Sequence, residues 1–125
     1  MPIWLAVALG GAIGALGRHT LNSFIPAHSS GFPFATFSVN ILGAFLLACL
    51  IQYLALKGYA SLPLKAFLVI GCLGAFTTFS TFTMETFLLL ERGDYLLSLT
   101  YIGLSIFGTL ISFALGLWVL RFILT

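Results

Sequence analysis

"GAFTTFSTFTMETF", Gly74–Phe87, places six hydroxyls, four phenyl rings and one carboxylate in a single short run, with apolar sequence on both sides ("LKAFLVIGCL" before it, "LLL" after it). Polar groups at membrane depth must find a partner or line water, because hydrocarbon supplies neither. Drawn as an uninterrupted helix at about 100° per residue, Gly74, Thr78, Thr81 and Glu85 fall on one stripe, and Phe79, Phe82, Thr83 and Thr86 on its neighbour. The run therefore carries a hydroxyl-and-carboxylate face beside an aromatic face edged with hydroxyls. Taken singly, each Ser or Thr is explained by bonding back to its own helix; seven Ser, Thr and Glu positions in one run favour a lining.

The rest of the chain sets the medium. Of 125 residues, 61% are hydrophobic and only 6% charged, against about 25% charged in soluble domains. A mean hydropathy of +1.18 leaves nothing to solvate a globular surface, so an integral membrane protein is expected. At about 20 apolar residues per span, the length accommodates four transmembrane helices and no soluble domain. The spans are expected at about 3–24, 34–56, 64–90 and 95–124, separated by the turn sequences "IPAHSSGFP", "KGYASLP" and "ERGD". Trp4, Tyr59, Tyr95 and Trp118 fall near span ends, where amphipathic rings sit at headgroup level. "MPIWLAVALG" has no basic segment ahead of its apolar run, so no cleaved secretory signal is expected. Cys49 and Cys72 lie in apolar runs without a metal-ligand or redox spacing, and are expected to act as small buried hydrophobes. The net charge of +2 comes from isolated cations, with no basic run suited to nucleic acid.

Two helices carry stripes of small residues: Gly10, Gly14 and Gly17, with Gly11 beside them, and Gly108, Ser112 and Gly116. Such stripes let helix backbones approach closely, the main source of helix association in lipid. In the third span, Gly71 and Gly74 are costly in a helix interior and Thr77–Thr78 is β-branched. A helix broken near its middle is expected there, with carbonyls freed toward a cavity.

With four spans, Lys57, Lys65 and Arg121 lie on the side of the termini, and Arg18 and Arg92 on the other. That near balance gives the positive-inside rule nothing to act on. A chain without orientation preference inserts both ways, and two opposed copies can pair about an axis in the membrane plane as an antiparallel dimer.

Other polar residues lie within the spans. Asn40, in the second, either joins helices or donates to an anion. Tyr101, Ser105 and Thr109 recur every four residues in the fourth and align on one face, expected to turn toward the third span. Glu85, the one acid in mid-span, fits a proton carrier, a structural hydrogen-bonder or part of a solvated track. Arg18 either snorkels to the interface or draws anions into a vestibule. His19 and His28 lie near loops and are expected to be solvated. This inventory suits an anion: hydroxyls and a carboxamide donate hydrogen bonds, and phenyl edges are positive. A cation path is built from rings of carboxylates or carbonyls, for which one carboxylate per chain is a poor supply.

"GAIGALGRH" in the first span, "ATFSVNILGAF" in the second and "GAFTTFSTFTMET" in the third resemble the Fluc (CrcB) fluoride channels across all four spans. The resemblance implies a fluoride-selective channel in the bacterial cytoplasmic membrane. It implies a dual-topology antiparallel homodimer with two pores, which exports fluoride passively and lowers its toxicity. By that resemblance Phe79 and Phe82 line the pore, Asn40 donates to fluoride, and Ser80 and Thr81 lie beside the path. Glu85, Tyr101, Ser105 and Thr109 continue it as a polar track, and Arg18 stands near the vestibule. Gly74 and Thr77 offer main-chain carbonyls from both subunits to a structural Na⁺ at the dimer centre. Where the family commonly has Gly-Thr, this chain has Ala35–Thr36, followed by the bulkier Phe37, which bears on vestibule shape.

The chief rival is a proton-coupled exporter of lipophilic cations that uses Glu85. It requires a carboxylate in an aromatic chamber, and the aromatic stripe points away from Glu85. A purely scaffolding subunit accounts for the small-residue stripes but not for the buried hydroxyls. An enzyme lacks a metal cluster or a positioned His–nucleophile pair.

Overall fold

The computed structural model describes all residues, Met1–Thr125, as helices joined by short turns, without a strand. Helix α1, Ile3–Phe24, ends where Pro26 forces Ile25 into extended backbone (φ −107°, ψ 100°). Helix α2, Phe34–Lys57, starts after Pro33 and closes on Gly58. Gly58 takes φ +72°, the left-handed conformation that lets its N–H reach back to the Leu54 carbonyl at 3.0 Å.

The third long stretch, Leu62–Glu91, is built from pieces. Helix α3, Leu62–Lys65, is capped by Ser61, whose Oγ accepts the Leu64 N–H at 3.3 Å. Ala66–Leu73 then widens into a π-helix, in which the Gly74 N–H reaches five residues back to Val69. Helix α4, Gly74–Phe76, follows, and helix α5, Phe79–Glu91, resumes after two extended residues, Thr77 (φ −84°, ψ 156°) and Thr78 (φ −149°, ψ 119°). At the end of α5, Asp94 N–H bonds to Leu89 O and Gly93 N–H to Leu90 O, both at 3.0 Å, in a Schellman turn with Gly93 at φ +82°. Helix α6, Tyr95–Leu124, completes the chain.

The interruption thus lies at Thr77–Thr78 and not at the glycines. Gly71 sits inside the π-helix and Gly74 is helical (φ −63°, ψ −39°). Their low helix propensity is outweighed by close packing. A Cβ on Gly10 would lie 2.2 Å from the Phe67 carbonyl oxygen, one on Gly14 2.1 Å from that of Cys72, and one on Gly71 2.8 Å from the Gly10 Cα. The π-helix and α1 therefore meet backbone to backbone. Gly17 faces the Phe76 ring, whereas Gly11 meets nothing.

The second small-residue stripe joins α6 to α2. Cβ atoms on Gly108 and Gly116 would fall 2.8 Å from Ile41 Cδ1 and 2.6 Å from the Phe45 carbonyl oxygen. Ser112 Oγ, between them, donates to the Ile41 carbonyl at 2.8 Å, an interhelical bond of a kind worth about 0.6 kcal/mol.

Burial is inverted relative to a soluble protein. Trp4, Leu96, Phe107 and Phe122 point outward, while Thr36, Thr78, Thr86, Ser98, Ser105 and Ser112 are buried. The small apolar core of Phe32, Phe82, Leu89 and Tyr101 lies between α5, α6 and the α1–α2 loop. Phe34–Lys57, Leu62–Glu91 and Tyr95–Leu124 are each long and apolar enough to cross a membrane. This is the architecture of an all-helical, multi-pass membrane protein.

Candidate functional site

The site is organised by one side chain from α2 entering the interruption between α4 and α5. Asn40 Nδ2 donates to the Thr78 carbonyl at 2.9 Å, and its Oδ1 accepts the Thr78 N–H at 2.8 Å. The carboxamide serves Thr78 as a neighbouring strand would, so the extended backbone keeps both bonds without a helix. One turn along α2, Gly43 makes the space: a Cβ there would lie 2.2 Å from Thr77 Cγ2 and 3.1 Å from the Phe76 ring. Sequence reasoning missed Gly43 as a site residue, although its i, i+3 spacing from Asn40 places both on one face.

The interruption changes which polar groups are free. The Thr78 hydroxyl caps α5, accepting the Thr81 N–H at 3.2 Å, and lies 3.1 Å from Thr81 Oγ1 and 3.3 Å from Ser80 Oγ. The Thr78 N–H, which a continuous helix would send to the Gly74 carbonyl, turns to Asn40 instead. The Thr77 carbonyl receives Arg18 Nη1 from α1 at 3.5 Å. Arg18 thus turns inward to the interruption, and snorkelling does not describe it.

The aromatic stripe divides. The Phe82 ring is 8% exposed and packs on Tyr101 with centroids 5.1 Å apart, while Phe79, 5.5 Å from Phe82, is 76% exposed. The hydroxyls beside them are occupied: Thr83 donates to the Phe79 carbonyl at 3.0 Å and Thr86 to that of Phe82 at 2.8 Å.

A cavity of about 280 Å³ opens beside the interruption, lined by Asn40, Thr77, Thr78, Phe79, Phe82, Ser105 and Thr109 among apolar side chains. The face of α6 bearing Ser105 and Thr109 therefore turns toward α5. Its hydroxyls are not equivalent. Thr109 donates back to the Ser105 carbonyl at 2.6 Å, whereas the buried Ser105 Oγ has no partner and the Tyr101 hydroxyl lies away from this cavity, beside Glu85 and Thr36. Asn40 has a second N–H beyond the one given to Thr78. Donors without partners thus cluster around the rings of Phe79 and Phe82, with no acid in the lining.

Glu85 stands apart from this cavity. The Thr36 and Tyr101 side chains lie beside its carboxylate, yet its buried Oε1 closes no hydrogen bond. It lines a separate cavity with His28 and Arg92. His28 is accordingly part of a cavity wall, its Nδ1 held by the Ser30 hydroxyl at 2.7 Å. Phe32 was not among the residues singled out from the sequence, and Thr36 was noted there only for vestibule shape, since nothing in their spacing links them to Glu85 and Tyr101.

Fold and site together define a multi-pass helical membrane protein with a cavity at the helix interruption into which Asn40 and Ser105 bring polar groups. The family model for CrcB-like protein, Camphor Resistance (CrcB), matches residues 5–117. The chain is 40% identical over 121 residues to the "Fluoride-specific ion channel FluC" of Chelativorans sp. (strain BNC1), covering 96% of this chain and 97% of that one. It is 52% identical over 93 residues to the FluC of Shewanella baltica (strain OS185), covering 74% of each. With the FluC of Sulfurimonas denitrificans it shares 40% identity over 119 residues, covering 94% of this chain and 92% of the relative. The chain belongs to the CrcB family.

Proposed function

We propose that this protein is a fluoride-specific channel of the bacterial cytoplasmic membrane, lowering intracellular fluoride by passive efflux, and that it is not an enzyme. One observation carries the reading beyond the relatives' names: unpartnered donors and phenyl rings converge on a cavity with no acid in its lining. Asn40 contributes its second N–H, Ser105 its hydroxyl, and Phe79 and Phe82 the positive edges of their rings. A hard anion leaving water gains most from short donor contacts, each charge-assisted bond contributing about 1.5–3 kcal/mol net. Larger halides gain less from the same donors. Ser80 and Thr81, gathered around Thr78, edge the path. Tyr101, Ser105 and Thr109 carry it along α6 toward Glu85, and Arg18, at the Thr77 carbonyl, adds positive charge beside the interruption.

Helix α1, of 22 residues, crosses the membrane as the first of four spans. The working unit is an antiparallel homodimer with two pores. Irregular backbone is not tolerated facing lipid, and Thr77–Thr78 leaves exposed Gly74 and Phe79 beside it, so a second copy is the natural cover. Phe79 of one copy then joins Phe82 of the other at a pore, and lipid bathes the remaining apolar surface. The Gly74 and Thr77 carbonyls suit a structural Na⁺ at the dimer centre. The Thr78 N–H, which a continuous helix would send to Gly74 O, goes to Asn40 instead, and neutral carbonyl oxygens suit a hard cation. A Na⁺ bound there would hold the interrupted segments of the two copies together.

The exporter reading is disfavoured because the cavity that Glu85 lines, although Phe32 and Phe34 form part of its wall, also carries Arg92, whose charge repels a lipophilic cation. The test is direct. Liposomes bearing the purified protein and loaded with fluoride release it within seconds, read by an ion-selective electrode, while chloride-loaded vesicles stay tight. Absent fluoride release, or equal chloride release, sinks the reading.

A further inference from the structure

A second cavity, of about 420 Å³, lies between the α1–α2 loop and the C-terminal half of α5. Its wall is apolar apart from three ionisable side chains, His28, Glu85 and Arg92. Glu85 and Arg92 are seven residues apart at one end of α5, hence two turns along one face and about 10 Å apart in rise. The guanidinium crowns a cavity that holds a carboxylate further in.

Several contacts hold Arg92 in that position. Its Nη2 lies 3.6 Å from Asp94 Oδ2, and a Cβ on Gly31 would approach the same nitrogen to 2.7 Å. Glycine in the loop thus leaves the guanidinium its room. His28 accepts the Ser30 N–H at Nδ1, at 3.1 Å, which leaves Nε2 as the protonated nitrogen of the neutral ring.

This cavity and the one at Asn40 share a wall. The Tyr101 ring packs on Phe82, which lines the Asn40 cavity, at 5.1 Å, and on Phe32, which lines the Arg92 cavity, at 5.4 Å. Glu85 lies beside Tyr101, on the Arg92 side.

We infer that the cavity at Arg92 is a mouth of the conduction path, a site for a small monovalent anion where Arg92 offsets the repulsion of Glu85. The inference rests on the conduction reading above. A carboxylate alone at the floor of a narrow, apolar-walled cavity repels an approaching anion, and low-dielectric walls extend that repulsion. The Arg92 guanidinium, shared with Asp94 at 3.6 Å, sets a positive charge against the Glu85 carboxylate at the cavity wall. The anion is then held between the Arg92 N–H groups and the His28 Nε2–H before it passes Glu85 and Tyr101.

The experiment is a double-mutant cycle in fluoride-loaded liposomes. Arg92→Gln slows fluoride efflux about tenfold, the lower end of what focused charge contributes in a cleft. Glu85→Gln supplies the remaining corner of the cycle, against which the double variant is read. The double variant returns to within about threefold of wild type, because removing the carboxylate removes the need for its counter-charge. Asp94→Asn, which takes away only the ion-pair partner of Arg92, keeps efflux. On folded Arg92→Cys protein, a cationic thiol reagent restores efflux and an anionic one does not, with treated wild type as reference. That arm decides the matter if Arg92→Gln fails to fold.

Unchanged efflux in Arg92→Gln overturns the inference, as does a double variant as slow as Arg92→Gln, or equal effects of the two reagents. Wild-type vesicles that release no fluoride would overturn the conduction reading, and this inference with it. Wild-type release with an indifferent Arg92 overturns the inference alone.

Discussion

Asn40 and Thr78, 38 residues apart in sequence, are joined by two hydrogen bonds, Nδ2 to the Thr78 carbonyl at 2.9 Å and the Thr78 N–H to Oδ1 at 2.8 Å. This pair decides where the third long helical stretch opens. An extended residue at membrane depth is costly when its peptide groups go unmet, and here a side-chain amide meets both. The same amide retains one N–H beyond that bond and lines the cavity.

Asn40→Asp is expected to abolish fluoride efflux. A carboxylate still accepts the Thr78 N–H but donates nothing to the Thr78 carbonyl, and its charge opposes an anion. Losing one buried donor costs about 1–3 kcal/mol, so the protein should melt earlier in detergent yet elute as a dimer. Efflux at wild-type rate from liposomes bearing the variant would remove Asn40 from the path.

Phe82→Ile is expected to block efflux with a smaller effect on stability. The ring is buried against Tyr101, and replacing it with a β-branched aliphatic of lower volume costs about 1–2 kcal/mol. What disappears is the positive ring edge. Efflux measured beside thermal melting separates the two effects, and unchanged flux would show that the ring only packs.

Gly14→Ala is expected to disrupt the fold, while Gly11→Ala is tolerated. An added methyl at Gly14 would meet the Cys72 carbonyl oxygen at 2.1 Å, backbone that cannot turn aside, but at Gly11 it meets open space. Overpacking of this kind costs about 1–3 kcal/mol or more. Melting temperatures of the two variants, measured side by side, check the contrast; equal values would mean that α1 and the π-helix do not meet in the membrane.

Lys57→Cys is expected to label from both faces of the membrane. The residue is exposed at the end of α2, and the near balance of Lys and Arg across the spans gives insertion no preferred direction. Impermeant thiol reagents applied to intact and to opened spheroplasts should each modify about half of the protein. Labelling from one face alone would exclude dual topology.

Much of this architecture is legible before any coordinates. The composition implies helices in a membrane, and the small-residue stripes at Gly10, Gly14 and Gly17 and at Gly108, Ser112 and Gly116 mark the faces that pack. Helix periodicity also places Tyr101, Ser105 and Thr109 on one face of α6. These features are local: they depend on spacing along one helix and on the absence of competing solvent.

The interruption at Thr77–Thr78 is not local. Helix propensity singles out Gly71, Gly74 and Thr77–Thr78 alike, yet the glycines stay in helical backbone because α1 packs against that segment, and the chain opens only where Asn40 can bond it. Nor does spacing separate the hydroxyls that bond back to their own helix, Thr83, Thr86 and Thr109, from the unpartnered Ser105 and Tyr101. The turn of Arg18 toward the Thr77 carbonyl and the meeting of His28, Glu85 and Arg92 around one cavity likewise bring together residues from different elements. By itself the sequence determined the fold class, the packing faces and the stock of polar groups in the interior. Tertiary structure alone decided which of those groups stay free, because a hydrogen bond is settled by the partner that arrives from another helix.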